Sequence, residues 1–281
     1  MVNLCKTARF PHPSVNTGKP KSETEALAWD PAQYLKFADH RLRPALDLLA
    51  RIGAPDPGCV VDLGCGTGNV TAILAARWPQ ARVTGIDPSD SMLARARAEH
   101  PGLRFEAADA ARWRAPEPVD VLYSNAALHW LGNHDTLFPQ LFAQVAPGGW
   151  MAVQMPRNFS AASHVSVADA ARDGPWGERL QPMLGPAPVD EPAHYVARLA
   201  PMAASLDVWE TEYMQVLEGA NPVAEWTKGT WLRPFLDALE EPDRSGFEAA
   251  YRARVAAAYP PLPDGRTLFP FRRMFLVARR A

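Results

Sequence analysis

The chain of 281 residues is 47% hydrophobic and 21% charged, the composition of a globular protein with apolar content for one substantial core. Its 29 Lys and Arg stand against 31 Asp and Glu, so a net charge of −2 supplies no broad positive field for nucleic acid, and any anionic ligand must be met by local cations. Three cysteines, Cys5, Cys59 and Cys65, lack the spacing of a disulfide framework or a zinc site, and no run approaches the roughly 18 apolar residues of a membrane helix. The start Met1–Lys6 has no apolar stretch of a signal peptide, so a cytoplasmic protein without metal is expected.

Residues 1–28 carry Pro11, Pro13, Gly18 and Pro20 among Lys, Ser, Thr and Asn, and read as a flexible extension. From Trp29, the positions Tyr34, Leu35, Phe37, Ala38, Leu42, Ala45, Leu46, Leu48 and Leu49 fall near helical spacing, which predicts one or two amphipathic helices around Pro44. The apolar run Cys59–Leu63, the glycines Gly64, Gly66 and Gly68 and the helix-forming Ala72–Trp78 predict a strand, a tight loop and a helix. The alternation returns as Arg82–Ile86 before Ser91–Glu99, and as Leu103–Ala107 before the polar-aromatic stretch Asp109–Trp113. Val119–Ser124 and Trp150–Met155 are two further expected strands, with a helix over Leu137–Val145 between them, stopped by Pro147-Gly148-Gly149. Such a pattern implies a largely parallel sheet covered on both faces. Prolines break Asp173–Pro201 into loops and short helices, while Asp207–Val216 and Leu268–Ala278 read as strands around a helix at 242–258.

The glycine loop carries the chemistry, because glycines between a strand and a helix let the backbone turn tightly and approach a ligand closely. In Gly64-Cys65-Gly66-Thr67-Gly68 one residue precedes the third glycine, whereas nicotinamide-binding folds place two there. Asp62 lies inside the first strand and Asp87 ends the second, where a carboxylate accepts both hydroxyls of a ribose or, equally, supports a helix start. Asp109 closes the third strand as a partner for an exocyclic amine or as a turn former, and Asn125 closes the fourth, beyond which open α/β sheets bind ligands.

This loop, with acidic residues ending strands two and three, resembles the class I S-adenosylmethionine-dependent methyltransferases. The resemblance implies a Rossmann-like α/β fold: a mostly parallel seven-stranded sheet with helices on both faces and a helical cap. It also implies S-adenosylmethionine as cofactor, with Gly64, Cys65, Gly66 and Gly68 bordering its methionine part, Asp87 on the ribose and Asp109 at the adenine. Asp62 would orient the loop and the cofactor's amino group, with Asn125 alongside.

Trp29-Asp30-Pro31, Tyr34-Leu35-Lys36-Phe37-Ala38, Arg41, Arg43-Pro44, Asn125-Ala126, Trp130-Leu131, Val153-Gln154-Met155-Pro156, Leu232-Arg233-Pro234 and Phe275–Arg280 resemble more narrowly the trans-aconitate methyltransferases. That likeness implies one domain over 29–281 with cap elements from 29–52 and 157–260. It implies methyl transfer to a carboxylate oxygen of a small polycarboxylate by a monomer, with no nucleic-acid or membrane partner. An ionised carboxylate needs no general base, so the catalytic contribution expected of Asn125, His129 and Trp130 is positioning. Tyr34, Arg41, His129, Trp130, Arg233 and Arg272 are the expected substrate contacts; Arg272 and Arg273 are adjacent in a strand, so at most one faces the pocket. Arg157 stands where the family pattern leads one to expect an acidic residue, either changing the pocket's charge or lying solvated on the surface. Other small-molecule methyl acceptors, a nicotinamide-dependent oxidoreductase and a non-catalytic cofactor-binding protein are the competing readings; an amine or hydroxyl acceptor would give His129 a role as base.

Overall fold

The computed structural model describes residues 38–281. One seven-stranded sheet runs in the order β3-β2-β1-β4-β5-β7-β6. Its strands are β1 (Cys59–Leu63), β2 (Arg82–Asp87), β3 (Arg104–Ala107), β4 (Val119–Asn125), β5 (Val145–Pro156), β6 (Ala203–Leu217) and β7 (Thr267–Arg280). The first five pair in parallel, and β7 enters antiparallel between β5 and the edge strand β6. Strand order reverses between β1 and β4, which both pair directly, so a crevice for ligand opens at their carboxyl ends.

Helices α1 (Ala38–Leu49), α2 (Asn69–Arg77), α3 (Asp90–Glu99) and α4 (His134–Phe142) accompany the sheet. Alternation along β7 shows both faces buried: Met274, Leu276 and Ala278 pack with Phe138, Leu141 and Phe142 of α4, while Phe275 and Val277 pack with Leu48, Leu49 and Leu74 of α1 and α2. Past the sheet, β6 and β7 continue as a two-stranded ribbon. Its Leu217, Phe269 and Phe271 support a separate cap core with α5 (Ala162–Asp173), α6 (Gly177–Leu180), α8 (Pro222–Lys228), α9 (Arg233–Asp237) and α10 (Asp243–Ala258). The short α7 (Pro192–Leu199) instead packs Tyr195 and Leu199 against the α4 side of the sheet.

Two expectations are corrected here. The helix after β4 ends at Phe142 rather than Val145, and Pro147-Gly148-Gly149 does not stop it but lies within β5. A glycine run inside a strand marks irregular pairing rather than a cap; the β4–β5 register accordingly shifts between Val119↔Val145 and Val121↔Trp150. The last two strands also run longer than their apolar alternation, mostly at the end beside β5, where Ala203–Leu206 pair with Ala278–Arg280.

Candidate active site

The loop after β1 has the form expected of a ligand cradle. Gly64, Gly66 and Gly68 all have left-handed backbone, with φ of +82°, +56° and +81°, a region that costs other residues about 1–2 kcal/mol. A Cβ on Gly64 would lie 2.1 Å from that of Ala127, so this loop and the one after β4 touch. A Cβ on Gly68 would strike Phe105 at 2.7 Å, whereas one on Gly66 would meet nothing within 4 Å. The loop is therefore closed against protein on two sides and open at Gly66. The Cys65 side chain turns inward against Leu93, Ala96 and Phe105, which restricts the expected contribution of Cys65 to its backbone.

Asp62 is buried and accepts a 2.6 Å hydrogen bond from the Thr71 hydroxyl of α2. Burial pushes its carboxyl up to about 7, the Thr71 bond opposes this, and the nearby Asp87 charge adds to it. Asp87 ties the loops after β1 and β2 together: Oδ2 accepts from Gly66 N and Oδ1 from Ser89 N, each at 2.9 Å. Partial burial raises its pKa against these two bonds. Both helix-start and ligand readings of Asp87 are compatible with this geometry, since a carboxylate has about four acceptor positions and two are taken. Asp109 accepts from Ala111 N at 2.9 Å and shapes the turn after β3, with its side chain exposed at the edge of the crevice.

At the end of β4 the chain turns through Ala126, held at φ +53° although it is not glycine. Such strain persists where the surroundings over-determine it; here Ala126 N donates to Gln154 O at 2.9 Å and Ala127 meets Gly64. The turn leaves Asn125 Oδ1 buried without a partner and leads into a short 3-10 turn, Leu128–Trp130. His129 is buried, its ring 4.6 Å from that of Trp130, which is itself 45% exposed. Burial first, then the charges of Arg273, His134 and His164, lower the His129 pKa to about 3, so its ring is neutral.

Arg272 and Arg273 divide as adjacent strand residues must, and the one that faces inward is Arg273, not the expected Arg272. Arg272 faces outward, its side chain 45% exposed and 4.0 Å from Glu212. Arg273 is 4% exposed; its guanidinium donates to Gln154 Oε1 at 3.3 Å and stacks 4.8 Å over the Phe271 ring. Asn125 and Gln154 are register neighbours on β4 and β5, and Arg273 faces Pro156 at the end of β5. Asn125, Gln154, Arg273 and His129 thus gather at one carboxyl edge.

Arg233 is not brought to this cluster. It opens α9, 37% exposed, with Nε bonded to both oxygens of Asp237 at 2.9 and 2.7 Å. Arg157 is neither solvated nor a free pocket charge, because Glu191 and Glu210 hold it at 2.7 and 2.5 Å with its side chain 15% exposed. Tyr34 and the Arg41 side chain lie outside the described residues. Gln154, which sequence reasoning missed as a site residue, carries one visible signal, a polar residue inside the buried apolar run Met151–Met155 of β5, whereas His164 carries none.

A family model for a methyltransferase domain matches residues 60–149, which span the glycine loop, Asp87, Asp109 and Asn125. A trans-aconitate 2-methyltransferase of an Azoarcus species is 49% identical, over 90% of this chain and 99% of the relative. One of Streptomyces coelicolor is 48% identical, over 91% of this chain and 88% of the relative. In fold the chain is similar to Haemonchus contortus phosphoethanolamine N-methyltransferase 2, solved with phosphomonomethylethanolamine and S-adenosylhomocysteine. That likeness has a TM-score of 0.52 at 17% identity, over 85% of this chain and 52% of that one.

Proposed function

Because the chain belongs to the trans-aconitate 2-methyltransferase family, we propose that it transfers a methyl group from S-adenosylmethionine to a carboxylate oxygen of trans-aconitate, giving the monomethyl ester and S-adenosylhomocysteine. The observation that carries this acceptor is Arg273, a guanidinium buried at the carboxyl edge beside the neutral His129. A planar fork of donors in that position suits a carboxylate.

The residues of the crevice fit the cofactor. The backbone at Gly66 faces open space, Asn125 Oδ1 is a buried acceptor in need of a donor, and Asp87 and Asp109 retain acceptor positions for hydroxyls and an amine. Asp62 places a carboxyl behind the loop, where an ammonium group stabilises its ionised form. When bound, S-adenosylmethionine supplies a methyl group on a sulfonium cation, which an ionised carboxylate accepts without surrendering a proton. The protein's task is to bind, orient and dry the acceptor. Arg273 holds one carboxylate by charge. His129 and Trp130 wall the site as a tilted ring pair, and His129, with its pKa near 3, is too weak a base to activate a hydroxyl or amine efficiently.

Methyl transfer from labelled S-adenosylmethionine to trans-aconitate, cis-aconitate, isocitrate, citrate and a simple monocarboxylate tests the proposal. Strong preference for trans-aconitate is expected. Cofactor binding without transfer to any acid would remove the acceptor and leave the methyl-donor site standing.

A further inference from the structure

An aromatic chain joins the Arg273 guanidinium to the cap. Phe271, the ring beneath Arg273, lies 6.3 Å from His164 of α5, and His164 lies 5.3 Å from Trp231, just before α9. Phe159 contacts both, at 5.5 and 5.3 Å. His129 lies within electrostatic reach of both Arg273 on the sheet and His164 on the cap.

Three buried nitrogens on or beside this chain of contacts make no hydrogen bond: Gln154 Nε2, Trp231 Nε1 and His129 Nδ1. Gln154 Oε1 receives Arg273, so its unsatisfied amide group is a donor, and an indole nitrogen only donates. Each buried donor left unmade costs about 1–3 kcal/mol, and native proteins seldom gather them without a ligand or a function to explain them.

His164 contributes another donor in the neutral tautomer that accepts at Nδ1. Asn158 Nδ2 donates to Ser163 Oγ at 3.4 Å, and the Ser163 hydroxyl, 3.1 Å from His164 Nδ1, has a proton to give that nitrogen. A neutral ring that accepts at Nδ1 carries its hydrogen on Nε2, and burial keeps this ring neutral. The Asn158 carbonyl oxygen in turn takes Arg272 N at 3.2 Å, and Ser163 N donates to Tyr259, so both the sheet and the cap anchor the relay.

We infer that Trp231 and His164 on the cap, with Gln154 on β5, form a cradle of neutral donors for a non-reacting carboxylate of the acceptor. The inference rests on the polycarboxylate reading above and gives it a specificity element: Arg273 answers one anionic group by charge, the cradle a second by hydrogen bonds. Neutral donors hold an anion without burying a further cation at a cost in desolvation. A site built this way rejects an acceptor lacking that carboxylate, because the donors then stay buried and unpaired.

Trp231→Phe removes the N–H and keeps the ring against Phe159 and His164; His164→Phe does the same on the other side of the cradle. Both are tested by steady-state transfer and by calorimetry of trans-aconitate binding to the S-adenosylhomocysteine-bound protein. In each variant KM and the dissociation constant for trans-aconitate rise about tenfold or more, kcat stays within about twofold, and S-adenosylhomocysteine binds as before. The preference for trans-aconitate over a monocarboxylate narrows in parallel. Normal transfer with unaltered KM in both variants, or cofactor affinity falling together with acceptor affinity, overturns the cradle alone. If the unmodified protein methylates no acid, the cradle and the acceptor reading fall together.

Discussion

Around β1 and β2 the site is made of backbone: three left-handed glycines, amides aimed at Asp87, and a loop packed on Ala127. Around β5 and β7 it is made of side chains from distant parts of the chain, Gln154 and Arg273 being 119 positions apart. The first half tolerates little change at its glycines because the backbone path itself forms the cradle. The second is a set of separable donors, each of which can be removed with the path intact. Different failures are therefore expected in the two halves: lost cofactor in one, lost acceptor in the other.

The sharpest way to break the cofactor half is Gly64→Ala. Its methyl group would meet Ala127 at 2.1 Å in a backbone conformation unfavourable to alanine, so S-adenosylhomocysteine affinity measured by calorimetry should fall about 100-fold or more. Asp62 gives a smaller, pH-dependent effect. With its pKa at about 7 in the free protein, it is mainly protonated below neutrality. A cationic ligand favours the carboxylate, so binding releases a proton there and affinity weakens as pH falls below 7, by at most about tenfold per unit. Asp62→Asn should flatten that slope. The smallest effect belongs to Arg272→Ala, which removes an exposed charge 4.0 Å from Glu212; KM for the acceptor should change by less than about threefold.

The same division governs what could be read in advance. The parallel strands, the loop and the acidic strand ends were legible because their signals are local: an apolar run, a glycine spacing, an Asp at a fixed position. Pro147-Gly148-Gly149 misled because the same residues suit a helix stop and an irregular strand, and only pairing with β4 decides between them. That one of Arg272 and Arg273 faces inward follows from strand alternation; which one does depends on register against β5 and on what covers that face. Arg233 sits in a family-like motif, yet Asp237 one turn later takes its guanidinium, a partner visible as an i,i+4 pair. Trp231 and His164 belong to no local pattern, because their meeting requires the cap to fold onto the β6–β7 ribbon.

Arg273→Met tests most directly the claim that the acceptor half acts separately from the cofactor half. S-adenosylhomocysteine binding to the variant and methyl transfer to trans-aconitate are measured together. Cofactor affinity should be unchanged and the apparent KM for trans-aconitate raised about 100-fold, the loss expected when a buried guanidinium no longer pairs with a carboxylate. Transfer at the unmodified KM, or cofactor affinity lost in proportion, would contradict the claim.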